Sequence, residues 1–534
     1  MPLQFTPPEI MSRYRAAWTI KQNWAPLLKE AYTYSRPGVN PYYENGSGDP
    51  FSTMPRGGQS RRHETLSTIL EDATEALINR VLTDYFPSKA RWADIGPNPR
   101  LPEAEAEAVE LLLAPVALAL FGALHDSNWD RMSGPVTSDL IVAGTGFNGR
   151  RYRPDTKEFI FTPIQQAHMA IDQDSEGNPV AYYYKSVVTH DELRAMYPNA
   201  NLPEKKTGDD GKQRKMDLVR ACMLNRELEE PVWEFNILVT GGEGADSQSE
   251  PHVLVDPVVY PKDRCPYAMV RWSRASDEIY GRGPVLAALP EFRTLNSATR
   301  ALLQTSLFAS LGIYAVGAGS AFNLQDKRIV PGGAYTMQDV NDLKRLDTPT
   351  STPDLLHMIN TSTQNIRNVM LYDRLPDPRE KGNPMSAEEI VQRRKEARVD
   401  YGVAGANLDA WGDDNLRFML SHMLDDPDSG FGELADDLKT AQITLNSPLQ
   451  TNQKSVDMMR MMEFVQAAKP MFDPMKFGAV LDEMGMLRKM ANLARIGPEF
   501  IRDINQANEE YQKQVQQLME MEAQKRGQAE VPSE

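Results

Sequence analysis

The side chains that could do chemistry are few, and their spacing argues against most of what they suggest. His190-Asp191-Glu192 groups three residue types that bind metals or move protons. Adjacent residues on a helix or strand point in different directions, so the three cannot converge on one ion. The better reading is a helix N-terminus, where the dipole favours acidic residues. The seven histidines never form a His-Glu-x-x-His pair, and no Gly-x-x-x-x-Gly-Lys-Ser/Thr loop is present to cradle ATP phosphates. Gly144-Thr145-Gly146 and Gly241-Gly242-Glu243-Gly244 lack a strand-to-helix unit with a basic anchor, so they read as turn glycines. The expectation is a chain with no catalytic residues, no metal and no cofactor.

Three other groupings have structural readings. Arg150-Arg151-Tyr152-Arg153 is the densest basic patch with an aromatic neighbour, and reads as a solvated strand edge that could also meet phosphate. Met458, Met459, Met461 and Met462 suit helix packing better than an adaptable binding surface. In Tyr280-Gly281-Arg282-Gly283-Pro284 the two glycines permit a sharp turn before a helix, and Arg282 could pair with an acidic group of a neighbouring subunit. The two cysteines, Cys222 and Cys265, are too few for a disulfide framework and lack zinc spacing, which points to a reducing compartment.

These residues need elements to hold them. Residues 1–130 read as mostly helical, broken by a loop rich in Gly, Asn, Ser and Pro from Arg36 to Gly58. A second amphipathic stretch begins near Arg62, with Leu66, Ile69, Leu70, Ala73, Ala76, Leu77 and Val81 on one face. The apolar run Leu111–Leu124, with Pro115 at its middle, is shorter than the roughly 20 residues a bilayer requires and reads as a buried helix. From Ser138 to about Tyr260 the pattern changes to strands: Asp139–Gly144, Lys157–Thr162, Val180–Val188 and Val232–Thr240. Asp172–Pro179 is a turn between two of them, and Glu204–Arg214 and Gly241–Glu250 are surface loops.

After Tyr280 the chain turns helical again. Helices run from Pro284 to about Ser310, from Pro353 to Tyr372 and from Ser386 onward, with a short β-like segment between the first two. Pro284 and Pro353 suit first-turn positions, and Ser386 with Glu389 forms a capping box. Between the last two helices Pro376, Pro378, Gly382 and Pro384 cannot continue a helix, which leaves a charged hinge. In the third helix Ile390, Ala397, Tyr401, Ala404, Leu408 and Trp411 make an apolar stripe that Gly402, Gly405 and Gly412 should bend or interrupt. Met-rich helices at 457–468 and 474–493 precede a polar helix from Glu499 to about Lys525 with an Ile504, Tyr511, Val515, Leu518 seam.

A chain of 534 residues predicts roughly three or four compact units. Hydrophobic residues at 41% and charged residues at 25% are the proportions of a folded soluble protein. A formal charge of −16 disfavours tight, sequence-independent DNA binding, which needs phosphate neutralisation. The first residues carry no basic and apolar leader, so the cytoplasm is the expected place of assembly.

The segment Ser276–Asn296, with Tyr280-Gly281-Arg282-Gly283-Pro284 as its kernel, resembles the portal, or head-to-tail connector, family of podovirus-type bacteriophages. The apolar end of the following helix (Ala301–Ala315), Asp139–Gly146, Leu193–Asn199 and Met385–Ile390 agree in order and spacing over residues 10–525. The resemblance implies an α+β, mainly helical, multidomain subunit of a twelve-membered ring, with wing, stem, clip and crown or barrel. It would place the wing at 1–282, a first stem helix at 283–310, the clip at 311–352 and a second stem helix at 353–372. A tunnel loop at 373–384, a long wing helix at 385–430, and a crown and C-terminal barrel with a disordered tail at 431–534 would follow.

By the same resemblance the ring is a channel for double-stranded DNA in packaging and ejection, at the unique capsid vertex of the virion. Its partners would be major capsid and scaffolding proteins, the terminase large subunit and tail adaptor or nozzle proteins, with no membrane. In the tunnel loop Arg374, Asp377, Arg379, Glu380 and Lys381 would face DNA. With Asp373 the loop holds three charges of each sign and so cannot be a strong phosphate clamp, and the acidic total suggests a repulsive wall along which DNA slides. Two other classes stay open at this point. A phage nuclease or terminase subunit would need a carboxylate cluster holding divalent metal, and a scaffold or tail protein would have no channel.

Overall fold

The computed structural model describes residues 5–39, 41–42, 65–96, 102–198, 200, 202, 216–228, 230–240, 252–311, 313–316, 343–346, 352–372, 401–426, 442–445 and 463. The helices are α1 (Pro7–Ser35), α2 (Ile69–Tyr85), α3 (Glu103–Asp126), α4 (Trp129–Ala143), α5 (His190–Met196), α6 (Pro284–Leu311), α7 (Thr352–Val369) and α8 (Val403–Asp425). The strands are β1 (Ala93–Gly96), β2 (Thr145–Arg153), β3 (Glu158–Ile164), β4 (Met169–Gln173), β5 (Pro179–Val188) and β6 (Met216–Asn225). They continue with β7 (Val232–Thr240), β8 (His252–Pro261), β9 (Tyr267–Arg271), β10 (Ile313–Val316), β11 (Leu343–Leu346) and β12 (Gln442–Leu445). The chain is therefore mixed helix and sheet, an α+β fold.

Two compact units form. One comprises residues 1–92 and 116–436, the other residues 93–115 and 437–534. In the second, β1 and β12 pair antiparallel, Ala93 opposite Leu445. The first holds a five-stranded antiparallel sheet in the order β4-β5-β6-β7-β8 and a three-stranded sheet in the order β3-β2-β9. The Asp172–Pro179 turn joins β4 to β5 as its composition requires, with the Asp174 carboxylate accepting the Glu176 and Asn178 N–H groups.

Several sequence expectations are corrected here. Asp139–Gly144 is not a strand but the end of α4, and Gly144 closes it in the left-handed conformation at φ 81°. The run reads as β because Leu140, Ile141, Val142 and Ala143 are all buried, and a helix covered on every side loses its period. The helix expected near Arg62 begins at Ile69, and Leu66 lies ahead of it, exposed. The interruption expected in the third late helix falls at Gly402, φ 49°, immediately before α8. Tyr401, Ala404, Leu408 and Trp411 of its stripe are buried, while Ile390 and Ala397 lie outside the described residues. The helices expected at 457–525 also lie outside them, apart from Glu463.

Two interior features tie the first unit together. Trp129 of α4 and Trp411 of α8 meet at 5.1 Å between ring centroids, flanked by Phe86, Trp92, Phe121 and Phe161. Trp411 Nε1 donates to Asn148 of β2 at 2.8 Å, and Asn148 Nδ2 to Asn415 at 3.0 Å, so the aromatic core is pinned by satisfied polar groups. The second feature is a buried polar knot between α1, α4 and the turn before β4. Lys21 donates to the carbonyls of Gln166 and Met169, and Asp139 accepts from Tyr32 at 2.7 Å and from the Gln166 N–H at 3.0 Å. Burial pushes the Asp139 carboxyl up to about 6 against those two hydrogen bonds, and lowers Lys21 well below the usual ammonium range.

Candidate functional site

The Tyr280–Pro284 motif joins β9 to α6, and each of its residues has a distinct task. A Cβ built on Gly281 would lie 2.2 Å from the Gly144 carbonyl oxygen, and one on Gly283 would lie 2.3 Å from the Ile141 oxygen. The contact is reciprocal, since a Cβ on Gly144 would lie 2.3 Å from the Gly281 oxygen. Two backbones thus cross with no side chain between them, which only glycine allows. Hydrogen bonds sew the crossing: Gly281 N–H to Thr145 Oγ1 at 2.8 Å, Trp272 N–H to Gly144 O at 2.9 Å, and Arg282 N–H to Ser273 O at 2.7 Å.

Tyr280 is fully buried beneath the Lys21 ammonium, 4.8 Å from its ring, with Trp24 edge-on at 6.0 Å. Arg282 faces outward. It donates from Nε to Glu278 Oε2 at 2.8 Å, pairs with Glu278 again through Nη2, and lies 5.4 Å over the Trp24 ring. The hydrogen bond from Arg282 holds the Glu278 carboxyl below the usual carboxylate range. Within the single chain the acidic partner of Arg282 is Glu278. Pro284 opens α6, where its missing N–H leaves nothing unsatisfied.

From this anchor α6 runs for 28 residues, about 42 Å, and packs against α7. Between them β10 and β11 pair antiparallel, Ile313 opposite Leu346, and turn the chain back. Burial falls from base to tip along both helices. Val285, Ala288, Leu289, Phe292, Leu295 and Ala298 of α6 are buried, as are Ser362 and Ile366 of α7 with Met370 and Leu371 just beyond it. Farther out Leu303 and Leu307 are 50% and 58% exposed, and Leu356 and Met358 are 46% and 45% exposed. The hairpin is rooted by Arg293, which grips Glu30 of α1 with two hydrogen bonds of 2.6 and 2.5 Å, and by Arg80 donating to the Leu371 carbonyl. Its two helices carry three arginines, Arg293, Arg300 and Arg367, against Glu291 and Asp354.

The other sequence candidates fall as follows. Arg374, Asp377, Arg379, Glu380 and Lys381 lie outside the described residues. His190-Asp191-Glu192 opens α5, with Thr189 Oγ1 accepting from the Glu192 N–H and Glu192 accepting from the Thr189 N–H, a complete capping box. Among the described residues no three His, Cys, Asp or Glu side chains are grouped to hold a metal, and no helix is long and apolar enough to cross a membrane.

Arg150 is a correction. It is 5% exposed, donates to the Cys265 carbonyl at 2.7 Å and pairs with Asp414 at 3.0 Å, so it clamps α8 to the sheet instead of lying on a solvated edge. β2 is the middle strand of its sheet, and its pairing with β9 spans more than 110 residues of sequence. Gly144 and Lys21 were not legible as partners of the motif. Only the glycines of Asp139–Gly146 hinted at the close approach.

No curated protein sequence matches the chain. A family model described as bacteriophage head to tail connecting protein matches residues 8–497, a span that includes the glycine crossing, the hairpin and both sheets. The family is a structural component of the phage particle, located at the capsid. The chain belongs to the bacteriophage head to tail connecting protein family.

Proposed function

We propose that the chain is one subunit of a ring-shaped portal at the capsid vertex, a conduit for double-stranded DNA and not an enzyme. Copies stand side by side with their α6–α7 hairpins around a common hole. The observation that carries this is the hairpin itself, rigidly rooted at its base and presenting Leu303, Leu307, Leu356 and Met358 to solvent at its tip. Leu303 and Leu307 are one helical turn apart and share a face, which a neighbouring copy would cover.

On this reading α6 and α7 are the stem, residues 311–352 the clip and residues 373–384 the tunnel loop. The wing is 1–282 with the helix at 385–430, and the crown and barrel are 431–534. The clip receives the packaging terminase during filling and tail adaptors afterwards, and capsid and scaffolding proteins surround the wing during assembly in the host cytoplasm. The near-balance of charge on the hairpin, with its Asn, Gln, Ser and Thr residues, supports passage of DNA without a phosphate clamp. The acidic excess of the chain lies outside these two helices, so the wall offered to DNA is closer to neutral than the total charge suggests.

Native mass spectrometry of the full chain tests the proposal. With subunits of 60.0 kDa, twelve copies give a particle of about 720 kDa. The double variant Leu303→Asp, Leu307→Asp should collapse it to single chains with unchanged circular dichroism. A wild-type chain that stays single at every concentration would overturn the reading.

A further inference from the structure

The two cysteines of the chain are 43 residues apart in sequence, yet their sulfurs lie 4.0 Å from each other. Cys222 stands in β6, opposite Tyr182 of β5 and Phe235 of β7 in the five-stranded sheet. Cys265 follows the short turn Lys262–Arg264 and precedes β9 of the three-stranded sheet. Both are buried in one apolar cluster with Phe147, Tyr182, Trp233 and Tyr267, so the thiol contact bridges the interior between the two sheets. The backbone on the Cys265 side is held by the Arg150 guanidinium. A disulfide needs the sulfurs at about 2.05 Å, an approach of about 2 Å. No third cysteine competes for either sulfur.

We propose that Cys222 and Cys265 are a latent cross-link, free thiols as the chain stands and closed by hydrogen peroxide. Two thiols and one hydrogen peroxide become one disulfide and two waters. A cysteine thiolate attacks the O–O bond, which becomes a sulfenic acid and hydroxide, and the hydroxide leaves as water with the thiol proton. The second sulfur then attacks the sulfenic sulfur, forms the S–S bond and expels the second water. Burial, followed by the thiol hydrogen bond to Cys265, holds the Cys222 thiol above its usual range, so the first step is slow. Such a pair is a slow, durable lock and not a fast sensor. A bond enclosed by Tyr182, Trp233 and Tyr267 is equally shielded from reductants. The cross-link stands on sulfur geometry, and its failure would leave the native mass of the ring untouched.

The test treats the purified full chain with hydrogen peroxide, then denatures it and alkylates free thiols with N-ethylmaleimide. The expected result is alkylation falling from two groups per chain to none, an intact mass lower by two hydrogens after correction for methionine oxygen, and a peptide joining Cys222 to Cys265. The melting temperature should rise on the order of 5 °C and return on reduction, while Cys222→Ser shows no such rise. Methionine oxidation reports that peroxide was present. Two alkylatable thiols after that point would overturn the proposal, as would sulfinic acid without cross-link, or a cross-link between chains. The mass measurement on the wild type decides even if the serine variant fails to fold.

Discussion

A single methyl group at Gly283 tests whether the anchor of the helical hairpin is a backbone crossing. In Gly283→Ala the new Cβ would sit 2.3 Å from the Ile141 carbonyl oxygen, about 1 Å inside ordinary contact. The obstructing atom belongs to the backbone of the buried C-terminal end of α4 and cannot rotate away as a side chain can. The crossing must therefore open by a comparable distance, which strains the hydrogen bonds from Gly281 N–H to Thr145, from Trp272 N–H to Gly144 and from Arg282 N–H to Ser273. At about 1 kcal/mol for each bond the loss is about 3 kcal/mol, in the range of overpacked interiors. Gly122→Ala is the control. Gly122 lies exposed inside α3 with nothing within 4 Å of its added Cβ, so the same methyl should stabilise by about 0.5–1 kcal/mol through helix propensity. Urea unfolding at matched protein concentration reads both, and hydrogen exchange should show faster opening at residues 141–146 and 271–290 in Gly283→Ala alone. A change under about 0.5 kcal/mol in Gly283→Ala would refute the crossing as the anchor.

Two further expectations concern buried charge. Replacing Arg150 by Met leaves the Cys265 carbonyl without its donor and half-exposed Asp414 without its partner, and should destabilise by about 1–3 kcal/mol, whereas a residue on a solvated edge would shift stability by under about 0.5 kcal/mol; urea midpoints distinguish these outcomes. His168 is held down to about 4 by burial and by the nearby Lys21 and Lys185. Its contribution to stability is present above its ordinary value of 6.5 and lost as pH falls through about 4. The stability of the wild type relative to His168→Gln should therefore fall by about 3 kcal/mol between pH 7 and pH 4. A pH-independent difference in unfolding free energy would contradict it. Asp139, raised to about 6, contributes in the opposite direction over the same interval, with stability gained as pH falls, so the wild-type curve by itself should be flatter than either group implies.

What the sequence determined by itself was local. Pro284 after Gly283 marked the start of α6, runs of β-branched and aromatic residues marked β5 and β7, the Asp-Gly-Asn-Pro turn marked the β4–β5 link, and acidic Asp191 and Glu192 marked the opening of α5. Each of these depends on dihedral preference or periodicity within a few residues, which a linear reading contains. The Tyr280–Pro284 motif was recognisable for the same reason, as a spacing of residue types.

What only tertiary structure decided is the other half of each contact. Gly144 meets Gly281 across 137 positions, Arg150 meets Asp414 across 264, and Lys21 reaches the carbonyls before β4 and the ring of Tyr280. Asp139–Gly144 read as a strand because an apolar run buried on every side has no period to distinguish helix from sheet, and packing among α1, α2, α6, β2 and β3 settled it. Burial and charge pairing are properties of distance in space. A chain folded back from residue 280 onto residue 144 creates them at positions whose sequence neighbours carry no trace of it.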